Sequence, residues 1–580
     1  MQREVIPQEV YDLKDLPEFD LQQPTFADIE TDGLYIKPRL IQLYQPQTSD
    51  KVYYIDLDEI DLEEAKRAIE PLWTVWQGCT YDFGTLKMTT KRFDDTLNLA
   101  KIAYPAWESY KLDEIVSRLG FSYLYDGLDK KKMQKAGFVI GAYLSQSQIR
   151  YACADVVALA LIWENDRIQK CRDVLAYKVD MISVGYSIRY QQNHLISNRE
   201  AVAIELEKLV DVIAENERIL DGVNCNSYQQ VRKALNSTES DEKALIYIIN
   251  DTSDPARARL AEAVYKQRRL IKRRGMLQNY DYDKCVTFFN PAGAITGRFT
   301  SSGSKQIPNS INAQQIPRDL QYIFNSDTET TSVVHADYST AELRAGASIM
   351  QDEAMYKELM AGMDLHRVAV CLADPSKTPE TVTKEERQKG KAISFGKIFG
   401  QSAKNFIDYA YINYGVKLTL EESQLIHDKY RAKYKSIAKY HGDRWNDYKT
   451  HPVYSPLGRR TMPRLGTDAI NFATQACVGE LTKLALHYLV KDTDGEALNY
   501  VYNVVHDSIF VRVPKGEEKK WARLLVKNMV KGWVEMCKRP MLHYKTIPMP
   551  VEVEWVSNGK DISIEALSAE EFDVRAMEIL

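Results

Sequence analysis

The stretch TKEERQKGKAISFGKIFG, Thr383 to Gly400, decides how the rest of the chain is interpreted. Thr383 and Glu386 have the spacing of a capping box, which predicts that a helix begins there. Four side chains then recur every four residues on one helix face: Arg387, Lys391, Phe395 and Phe399. Two cations followed by two rings suit the phosphates and the base of a nucleoside triphosphate. On this stretch alone, a surface helix with a basic stripe and two core rings is the alternative.

The composition is that of an ordinary globular protein. The chain has 580 residues, of which 44% are hydrophobic and 27% charged, and this length suggests roughly three or four domains. The net charge of −5 does not indicate a general polyanion binder, so nucleic-acid binding must come from local charge. The eight cysteines form no CxxC pair, which argues against disulfides or a zinc cluster and favours a cytoplasmic location. No apolar leader and no run of about 18 apolar residues is present, so no membrane association is predicted.

Acidic residues in the N-terminal third have a spacing typical of a metal-dependent nuclease. The segment FADIETDGL is predicted to be a strand in which Asp28 and Glu30 point to the same side. Asp82 lies in YDFGTL, and Asp155 lies in a helical pattern with Tyr151 one turn earlier. Such carboxylates can hold two divalent ions about 4 Å apart for phosphodiester hydrolysis, with the tyrosine orienting the attacking water.

The order DxE, YD and YxxxD resembles the DEDD-type 3′–5′ exonuclease domain, in its tyrosine-bearing subgroup, that accompanies family A DNA polymerases. The matching residues are Asp28, Glu30, Asp82, Tyr151 and Asp155. The resemblance implies an RNase H-like domain with two divalent ions, Mg²⁺ or Mn²⁺, at its site. Gly78 replaces an asparagine frequent in that family, but this position is not a metal ligand. A degenerate domain kept as a scaffold is the alternative, and the presence of all four acids argues against it.

A run of basic residues lies in a long, polar, helical pattern between about residues 172 and 290. The segment VYKQRRLIKRRGML contains six cations: Lys266, Arg268, Arg269, Lys272, Arg273 and Arg274. Such a cluster can contact the phosphate backbone of a duplex without reading its sequence. A solvated helix face is the alternative. The position of the run between a nuclease and a nucleotide-binding helix favours DNA binding.

Two aspartates in the C-terminal half are predicted to meet on one sheet. SVVHADYSTAELR is predicted to form a buried strand ending at Asp337 and then a helix, and YVYNVVHDSIFVRVP to form a hairpin whose tip is His506 and Asp507. Two carboxylates brought that close need cations between them, or one must bind a proton. With a cationic helix nearby, the pair suits two-metal nucleotidyl transfer.

Together these stretches resemble motifs A, B and C of family A DNA polymerases, over roughly residues 26–555. Motif A is DYSTAELR from Asp337, motif B is RQKGKAISFGKIFG from Arg387, and motif C is VHDS from Val505. The resemblance implies two Mg²⁺ ions on Asp337 and Asp507, assisted by the Tyr338 carbonyl. It implies nucleotide contacts by Arg387, Lys391, Phe395, Phe399, His366 and Glu342. It implies DNA contacts by Arg298, Asn471, Gln475 and His506.

Departures from the family motifs bear on the nucleotide that enters the site. Ser508 stands where motif C usually has glutamate, and HDS is the motif C of single-subunit RNA polymerases. Glu342 matches the family's steric gate against a 2′-hydroxyl, and an attached nuclease belongs to DNA synthesis, so deoxynucleotides are predicted. Phe395 in place of tyrosine predicts discrimination against chain terminators. Phe399 in place of the usual tyrosine keeps the ring and loses a hydrogen bond.

The predicted fold is α/β and multidomain, with an exonuclease domain followed by a right-hand polymerase of thumb, palm and fingers. The expected boundaries are 1–171 for the exonuclease, 172–295 for the thumb, 296–350 for the first part of the palm, 351–470 for helical fingers, and 471–580 for the second part of the palm, whose sheet is antiparallel, with a C-terminal tail. The tail after Val556 is expected beyond the last strand as a solvated helix, with docking of a replication partner as the alternative.

The predicted function is template-directed primer extension with dNTPs and proofreading of the primer 3′ end by a monomer. Primer-template DNA is the expected partner, and a helicase, primase or processivity factor is a further candidate. Because the exonuclease pattern begins near Thr25, no N-terminal 5′ nuclease is expected. The compact organisation resembles replicative bacteriophage polymerases, which act in the host bacterial cytoplasm. The alternatives are an enzyme like single-subunit RNA polymerases, an exonuclease with an inactive polymerase half, and a non-catalytic DNA-binding scaffold.

Overall fold

The computed structural model describes residues 3–129, 132–133, 137–250 and 253–579. Its strands are β1 (Pro7–Val10), β2 (Thr25–Thr31), β3 (Pro38–Tyr44), β4 (Val52–Asp56), β5 (Trp73–Trp76), β6 (Arg92–Asp95), β7 (Leu195–Ile196), β8 (Lys284–Cys285), β9 (Phe288–Asn290), β10 (Thr300–Ser302), β11 (Thr331–Tyr338), β12 (Val453–Tyr454), β13 (Arg460–Thr461), β14 (Val501–Val505), β15 (Ser508–Pro514), β16 (Val551–Ser557) and β17 (Lys560–Ala566).

Helices connect and cover these strands, with short 3₁₀ turns between several of them. The helices are α1 (Leu62–Ile69), α2 (Thr80–Leu86), α3 (Thr96–Ala103), α4 (Leu112–Arg118), α5 (Gln146–Trp163), α6 (Asp166–Cys171), α7 (Leu175–Tyr190), α8 (Arg199–Leu220), α9 (Tyr228–Ala234), α10 (Glu242–Asn250), α11 (Pro255–Tyr280), α12 (Tyr322–Asn325), α13 (Ala341–Ile349), α14 (Glu353–Met360), α15 (Leu365–Ala373), α16 (Lys384–Ile398), α17 (Ala403–Tyr414), α18 (Leu420–Lys433), α19 (Lys435–Asp447), α20 (Gly466–Asp492), α21 (Glu518–Cys537) and α22 (Ala569–Ile579).

The N-terminal sheet carries the first acidic motif on an inner strand. Its strand order is β1-β4-β3-β2-β5-β6, in which β2 is antiparallel to β3 and parallel to β5. Helix α5 packs across β2 and β3, and its first turn is closed by a capping box between Ser145 and Gln148. The cap and the packing together set which face of α5 turns toward β2.

The middle of the chain is helical and has a small core of its own. Helices α8 and α11 run against each other, and apolar residues between Leu220 and Tyr265 form a separate buried cluster. The predicted basic run lies on α11.

The C-terminal sheet is antiparallel, with the order β14-β15-β11-β16-β17. Helices α20 and α21 pack together, and α21 also lies against β11 and β16, so that one face of the sheet is buried in the largest core. Helix α16 lies with α15 and α17 in a smaller cluster beside the sheet. The predicted strand at Asp337 and the hairpin at its tip residues His506 and Asp507 are both present.

The expectation that the tail after Val556 lies beyond the last strand is wrong, although the expected helix is present as α22. Strand β17 pairs with β16 over its whole length, and every second residue of β17 from Ile562 to Ala566 is buried. Phe572 of α22 is fully buried near Trp555, with 6.0 Å between ring centroids. The alternating pattern of β17 is short and bordered by charged residues, so it is easily taken for a polar tail.

A buried ionic network joins α7 to the C-terminal half. Both carboxylate oxygens of Asp180 accept hydrogen bonds from the Arg459 guanidinium, at 2.7 and 2.8 Å, and Lys483 Nζ donates to Asp180 at 2.5 Å. Arg459 Nε also lies 3.4 Å from Glu480, and Asp180, Glu480 and Lys483 have no exposed surface. Helix α7 thus meets the second half through charges that compensate one another.

Asp180→Ala is expected to lower the free energy of unfolding by about 3–5 kcal/mol, because it leaves buried cations without their partner. Urea unfolding followed by tryptophan fluorescence measures this loss. Asp173→Ala is the matched control, since Asp173 is 90% exposed in its pair with Lys178 and is expected to change stability by less than about 1 kcal/mol. Equal losses for the two variants would contradict a stabilising role for the network.

Candidate active sites

The first cluster of acids forms where β2 meets α5. One carboxylate oxygen from each of Asp28, Glu30 and Asp155 lies within 4.8 Å of the others. Asp82, on α2, is 3% exposed, and its charge raises the pKa of Asp28 and of Glu30, so it lies beside the same cluster. Strand alternation places Asp28 and Glu30 on one face, as predicted, and α5 supplies Asp155 from above them.

Burial and mutual repulsion raise the pKa values of these carboxyls. For Asp28 burial is the largest cause, followed by the charges of Asp82, Asp155 and Glu30. A divalent cation among the oxygens would remove this repulsion, and oxygen donors at this spacing suit hard ions such as Mg²⁺ and Mn²⁺. The donor set therefore fits the metal that the sequence implies.

Two tyrosines flank the cluster, and the sequence indicated only one of them. Tyr151 lies one turn before Asp155, and burial raises its pKa, so its hydroxyl keeps its proton. Tyr125, in the 3₁₀ turn Ser122–Tyr125, donates a hydrogen bond to Asp155 Oδ1 at 2.5 Å. Both rings line a cavity of about 210 Å³ beside Asp155. No local pattern around Tyr125 could reveal this contact, because it depends on the packing of two distant segments.

The second cluster of acids lies on the C-terminal sheet. Asp337 on β11 is directly opposite Ser508 on β15, and Ser508 Oγ donates a hydrogen bond to Asp337 Oδ1 at 2.6 Å. Asp507 occupies the hairpin between β14 and β15, and burial followed by the charge of Asp337 raises its pKa well above the usual value. Glu552 on β16 is directly opposite Asp337 on the other side. As at the first cluster, closely spaced oxygen donors fit divalent cations.

Tyr338 contributes to this second site only through its backbone. Its side chain is 1% exposed, and its hydroxyl donates to the Met529 carbonyl at 2.7 Å. Because adjacent residues of a strand point to opposite faces, the Tyr338 ring faces the core while Asp337 faces the site. A role for the Tyr338 carbonyl, as the sequence implied, is compatible with this orientation.

The cationic helix α16 is built as predicted. Its capping box joins Thr383 and Glu386, and Arg387 Nε donates to Asp364 Oδ2 at 2.6 Å. Lys391 is half-buried, and burial followed by the charge of Arg387 lowers its pKa. A bound triphosphate would offset this repulsion between the two cations.

The aromatic part of α16 adjoins His366 of α15. Phe395 lies 5.3 Å from the His366 ring and 6.1 Å from the Phe399 ring, measured between centroids. Burial followed by the charge of Arg387 lowers the pKa of His366 to about 4, so the imidazole is neutral at pH 7. The two helices touch at Gly390, where an added Cβ would lie 1.9 Å from the His366 carbonyl oxygen.

Of the residues predicted to contact DNA, Arg298 and His506 lie near the second cluster, since the charge of Arg298 acts on the pKa of Asp507 and His506 precedes that residue. Arg298 Nη2 donates to Glu342 Oε1 at 2.8 Å, a pairing that the sequence did not indicate. Asn471 and Gln475 lie one turn apart on α20, and both are half-buried. His506 is exposed at the hairpin tip with a positive φ of 54°.

The basic run on α11 is divided between solvent and internal contacts. Arg268 donates to the carbonyls of Cys225 and Ser240, and Arg273 pairs with Glu205 and Asp319. The four exposed members of the run are Lys266, Arg269, Lys272 and Arg274. Lys266 pairs with Glu262 and Arg269 donates to the Tyr265 hydroxyl, both within α11, whereas Arg268 and Arg273 hold the helical region together.

Comparison with known proteins agrees with this architecture. The polymerase domain of Pol1 from M. smegmatis, solved in complex with a DNA primer-template and dNTP, superposes with a TM-score of 0.69 at 19% identity, covering 92% of this chain and 94% of that one. This chain therefore has an α/β polymerase fold. None of the helices among the described residues is both long and apolar enough to span a membrane.

Sequence comparison assigns the family. DNA polymerase I of Aquifex aeolicus is 26% identical over 583 residues, covering 92% of this chain and 95% of that protein. The DNA polymerase of Mycobacterium phage D29 is also 26% identical, covering 87% of this chain and 90% of that protein. A family model described as DNA polymerase family A matches residues 193–560. The chain belongs to DNA polymerase family A.

Proposed function

We propose that this family A DNA polymerase uses two separate metal sites, one to extend a primer with dNTPs and one to remove its 3′-terminal nucleotides. The observation that carries the second activity is the convergence of Asp28, Glu30 and Asp155, whose oxygens lie within 4.8 Å of one another. The proposed domains are an exonuclease over residues 1–171, a thumb over 172–295, fingers over 351–470, and a palm formed by 296–350 and 471–580.

Asp337 and Asp507, with the Tyr338 carbonyl, would hold two Mg²⁺ ions at the polymerase site. When bound, such ions activate the primer 3′-hydroxyl and neutralise the pyrophosphate that leaves. Ser508 donates to one oxygen of Asp337 and so restricts the orientation of that carboxylate. This contact supports a working site in spite of the departure from the usual motif C.

Helix α16 would bind the incoming nucleotide along its half-buried face. Arg387 and Lys391 supply positive charge to the triphosphate, and Phe395 and Phe399 supply a flat apolar surface for the sugar and base. Neutral His366 can donate a hydrogen bond to a phosphate oxygen without adding a charge. Glu342, held by Arg298, would block a ribose 2′-hydroxyl, so the proposed substrates are deoxynucleotides.

At the excision site the four acids would hold two divalent ions, Mg²⁺ or Mn²⁺, and Tyr151 would orient the water that attacks the terminal phosphodiester. Ions in such a site lower the pKa of the water and stabilise the departing oxygen. Tyr125 holds Asp155 through its hydroxyl and so restricts the orientation of that carboxylate. Raised carboxyl pKa values support this proposal, because the cluster is unfavourable without cations.

Replication of a bacteriophage genome is the proposed biological role. It is supported by the similarity to the phage D29 DNA polymerase over 90% of that protein. The Aquifex aeolicus DNA polymerase I is equally similar, so a bacterial enzyme is the second candidate. A helicase, primase or processivity factor is a further candidate partner in either role.

Primer extension distinguishes the proposed activity from its alternatives. A labelled primer-template is incubated with Mg²⁺ and either dNTPs or rNTPs, and a labelled single strand is incubated with Mg²⁺ alone. Extension by dNTPs, shortening of the single strand, and loss of both with EDTA are expected. Equal extension by rNTPs would favour an RNA polymerase-like enzyme. Shortening without any extension would favour a nuclease with an inactive polymerase half.

Ser508→Ala is expected to lower the rate of dNTP addition about 10- to 150-fold, because a hydrogen bond to a charged carboxylate contributes about 1.5–3 kcal/mol. Single-nucleotide incorporation at saturating dNTP measures this rate. Ser508→Thr keeps the hydroxyl and serves as the matched control, with an expected change below about threefold. If Ser508→Ala extended primers at the wild-type rate, the hydrogen bond to Asp337 would not contribute to dNTP addition.

A further inference from the structure

The loop that follows β2 contacts a hairpin from the other half of the chain. This loop, residues 32–37, comes directly after the strand that carries Asp28 and Glu30. The hairpin consists of the antiparallel strands β9 and β10, in which Asn290 is opposite Thr300 and Phe288 is opposite Ser302. The segment that connects the two strands contains Arg298. One end of the hairpin thus lies near the first acidic cluster, and its connecting segment reaches Glu342 at the second.

Polar contacts from the segment after β10 hold the loop backbone on both sides. The Leu34 N–H donates to Gln306 Oε1 at 2.7 Å, and Ser304 Oγ donates to the Leu34 carbonyl at 3.0 Å. Gly33 lies against the same glutamine, because a Cβ added there would be 2.8 Å from Gln306 Oε1. The backbone N–H and the backbone carbonyl of Leu34 are therefore both hydrogen-bonded to side chains of the segment after β10.

A stack of aromatic rings continues from the hairpin to the acids. Tyr35 stacks on Phe288 of β9 with 3.8 Å between centroids and an interplanar angle of 6°. Tyr35 also contacts Tyr81, at 4.9 Å, and Tyr81 precedes Asp82. The Tyr81 hydroxyl is hydrogen-bonded to Thr31 Oγ1 at 2.6 Å, next to Glu30. The rings form a continuous path from the hairpin to both sides of the first cluster.

Two residues of the loop have positive φ values, a backbone conformation that residues other than glycine rarely adopt. Tyr35 has a φ of 61° and Gly33 a φ of 100°, and the loop is closed by a hydrogen bond from the Asp32 N–H to the Lys37 carbonyl at 2.9 Å. A non-glycine residue in the left-handed region is uncommon and costs free energy. The contacts with Phe288 and Gln306 offset this cost, so the loop is shaped by the surface against which it lies.

We propose that Ser304 and Gln306 are positioning residues that fix the loop after β2 on the β9–β10 hairpin, so that an unpaired primer 3′ end leaving the polymerase site reaches the excision site of the same molecule. The substrate class is a primer-template with a mispaired 3′ end. The inference rests on the proposed 3′–5′ excision. A free single strand reaches the acids directly from solution and does not need this alignment.

The test compares wild type and Gln306→Ala on two substrates. A labelled single strand reports the excision chemistry, and a primer with a 3′ mismatch reports transfer between the sites. The enzyme is first bound to the labelled DNA, and the reaction is started by adding Mg²⁺ together with excess unlabelled DNA. The unlabelled DNA captures any enzyme that dissociates, so the assay detects excision only by enzyme that stays bound to its labelled DNA. Gln306→Ala is expected to slow mismatch excision about 5- to 10-fold, which is the effect of one lost hydrogen bond, and to change single-strand excision less than twofold.

Further variants separate positioning from a general loss of structure. Gln306→Glu keeps the acceptor oxygen for the Leu34 N–H and is expected to restore mismatch excision. Adding Ser304→Ala to Gln306→Ala is expected to slow it further, with matched primer extension unchanged. Gln424→Ala is the control, because that glutamine is exposed on α18 and donates a hydrogen bond within its own helix, to Asp428 at 2.9 Å.

The outcomes distinguish this inference from the proposed function. A wild type that shortens neither substrate would refute the proposed excision, and the inference with it. A wild type that shortens both, with Gln306→Ala slowing both equally or neither, would overturn the positioning role and leave the proposed excision intact.

Discussion

Asp507→Asn is expected to abolish primer extension, with a loss of at least about 1,000-fold, because several kcal/mol of transition-state stabilisation depends on the metal ions held there. The substitution keeps the size of the side chain and removes the carboxylate of Asp507, which with Asp337 is proposed to hold the two ions. Single-turnover incorporation of one dNTP measures the loss. Shortening of a single strand is expected to remain at the wild-type rate, because Asp28 and its neighbours are a separate cluster.

Asp494→Asn is the matched control for this substitution. Asp494 is exposed before β14 and has a positive φ of 47°, which asparagine also tolerates. It is expected to extend primers at the wild-type rate. Extension by Asp507→Asn within tenfold of wild type would contradict the assignment of the polymerase site.

Asp28→Asn is expected to affect excision and not primer extension. Excision is expected to fall at least about 1,000-fold through the loss of metal binding, while dNTP addition stays unchanged. Degradation of a labelled single strand in Mg²⁺ or Mn²⁺ measures excision. Calorimetric titration with Mn²⁺ gives a second readout, in which Asp28→Asn is expected to lose the binding event of this cluster.

Asp126→Asn is the control for the excision site. Asp126 is exposed directly after Tyr125, and its substitution removes a nearby charge without touching the cluster. If Asp28→Asn degraded single strands as fast as this control, the cluster would not be an excision site, and an inert scaffold would be the better account of the N-terminal sheet.

The elements that carry the motifs could be predicted because their signals are local. The capping box of Thr383 and Glu386 lies within one turn, and the apolar strand before Asp337 borders a helix pattern. The hairpin at His506 and Asp507 joins two β-rich segments, and strand alternation alone placed Asp28 beside Glu30. The predicted α/β polymerase fold is confirmed by the structural comparison.

Contacts between distant segments could not be predicted in this way. Tyr125 meets Asp155 and Arg298 meets Glu342 through packing that no periodic pattern encodes. The sequence presents the basic run on α11 as one cluster of six cations, yet Arg268 donates to backbone carbonyls inside the helical region. Composition gives the number of charges in a segment, whereas their partners depend on the tertiary fold.

The most direct test of the account is one gel with a labelled primer that carries a 3′ mismatch on a longer template, with Mg²⁺, and with or without dNTPs. Shortening without dNTPs and full-length product with dNTPs are expected, since the mismatch must be removed at one site before extension at the other. Extension with no shortening would contradict the excision site. Shortening under both conditions, for matched as well as mismatched primers, would contradict coupled proofreading and synthesis.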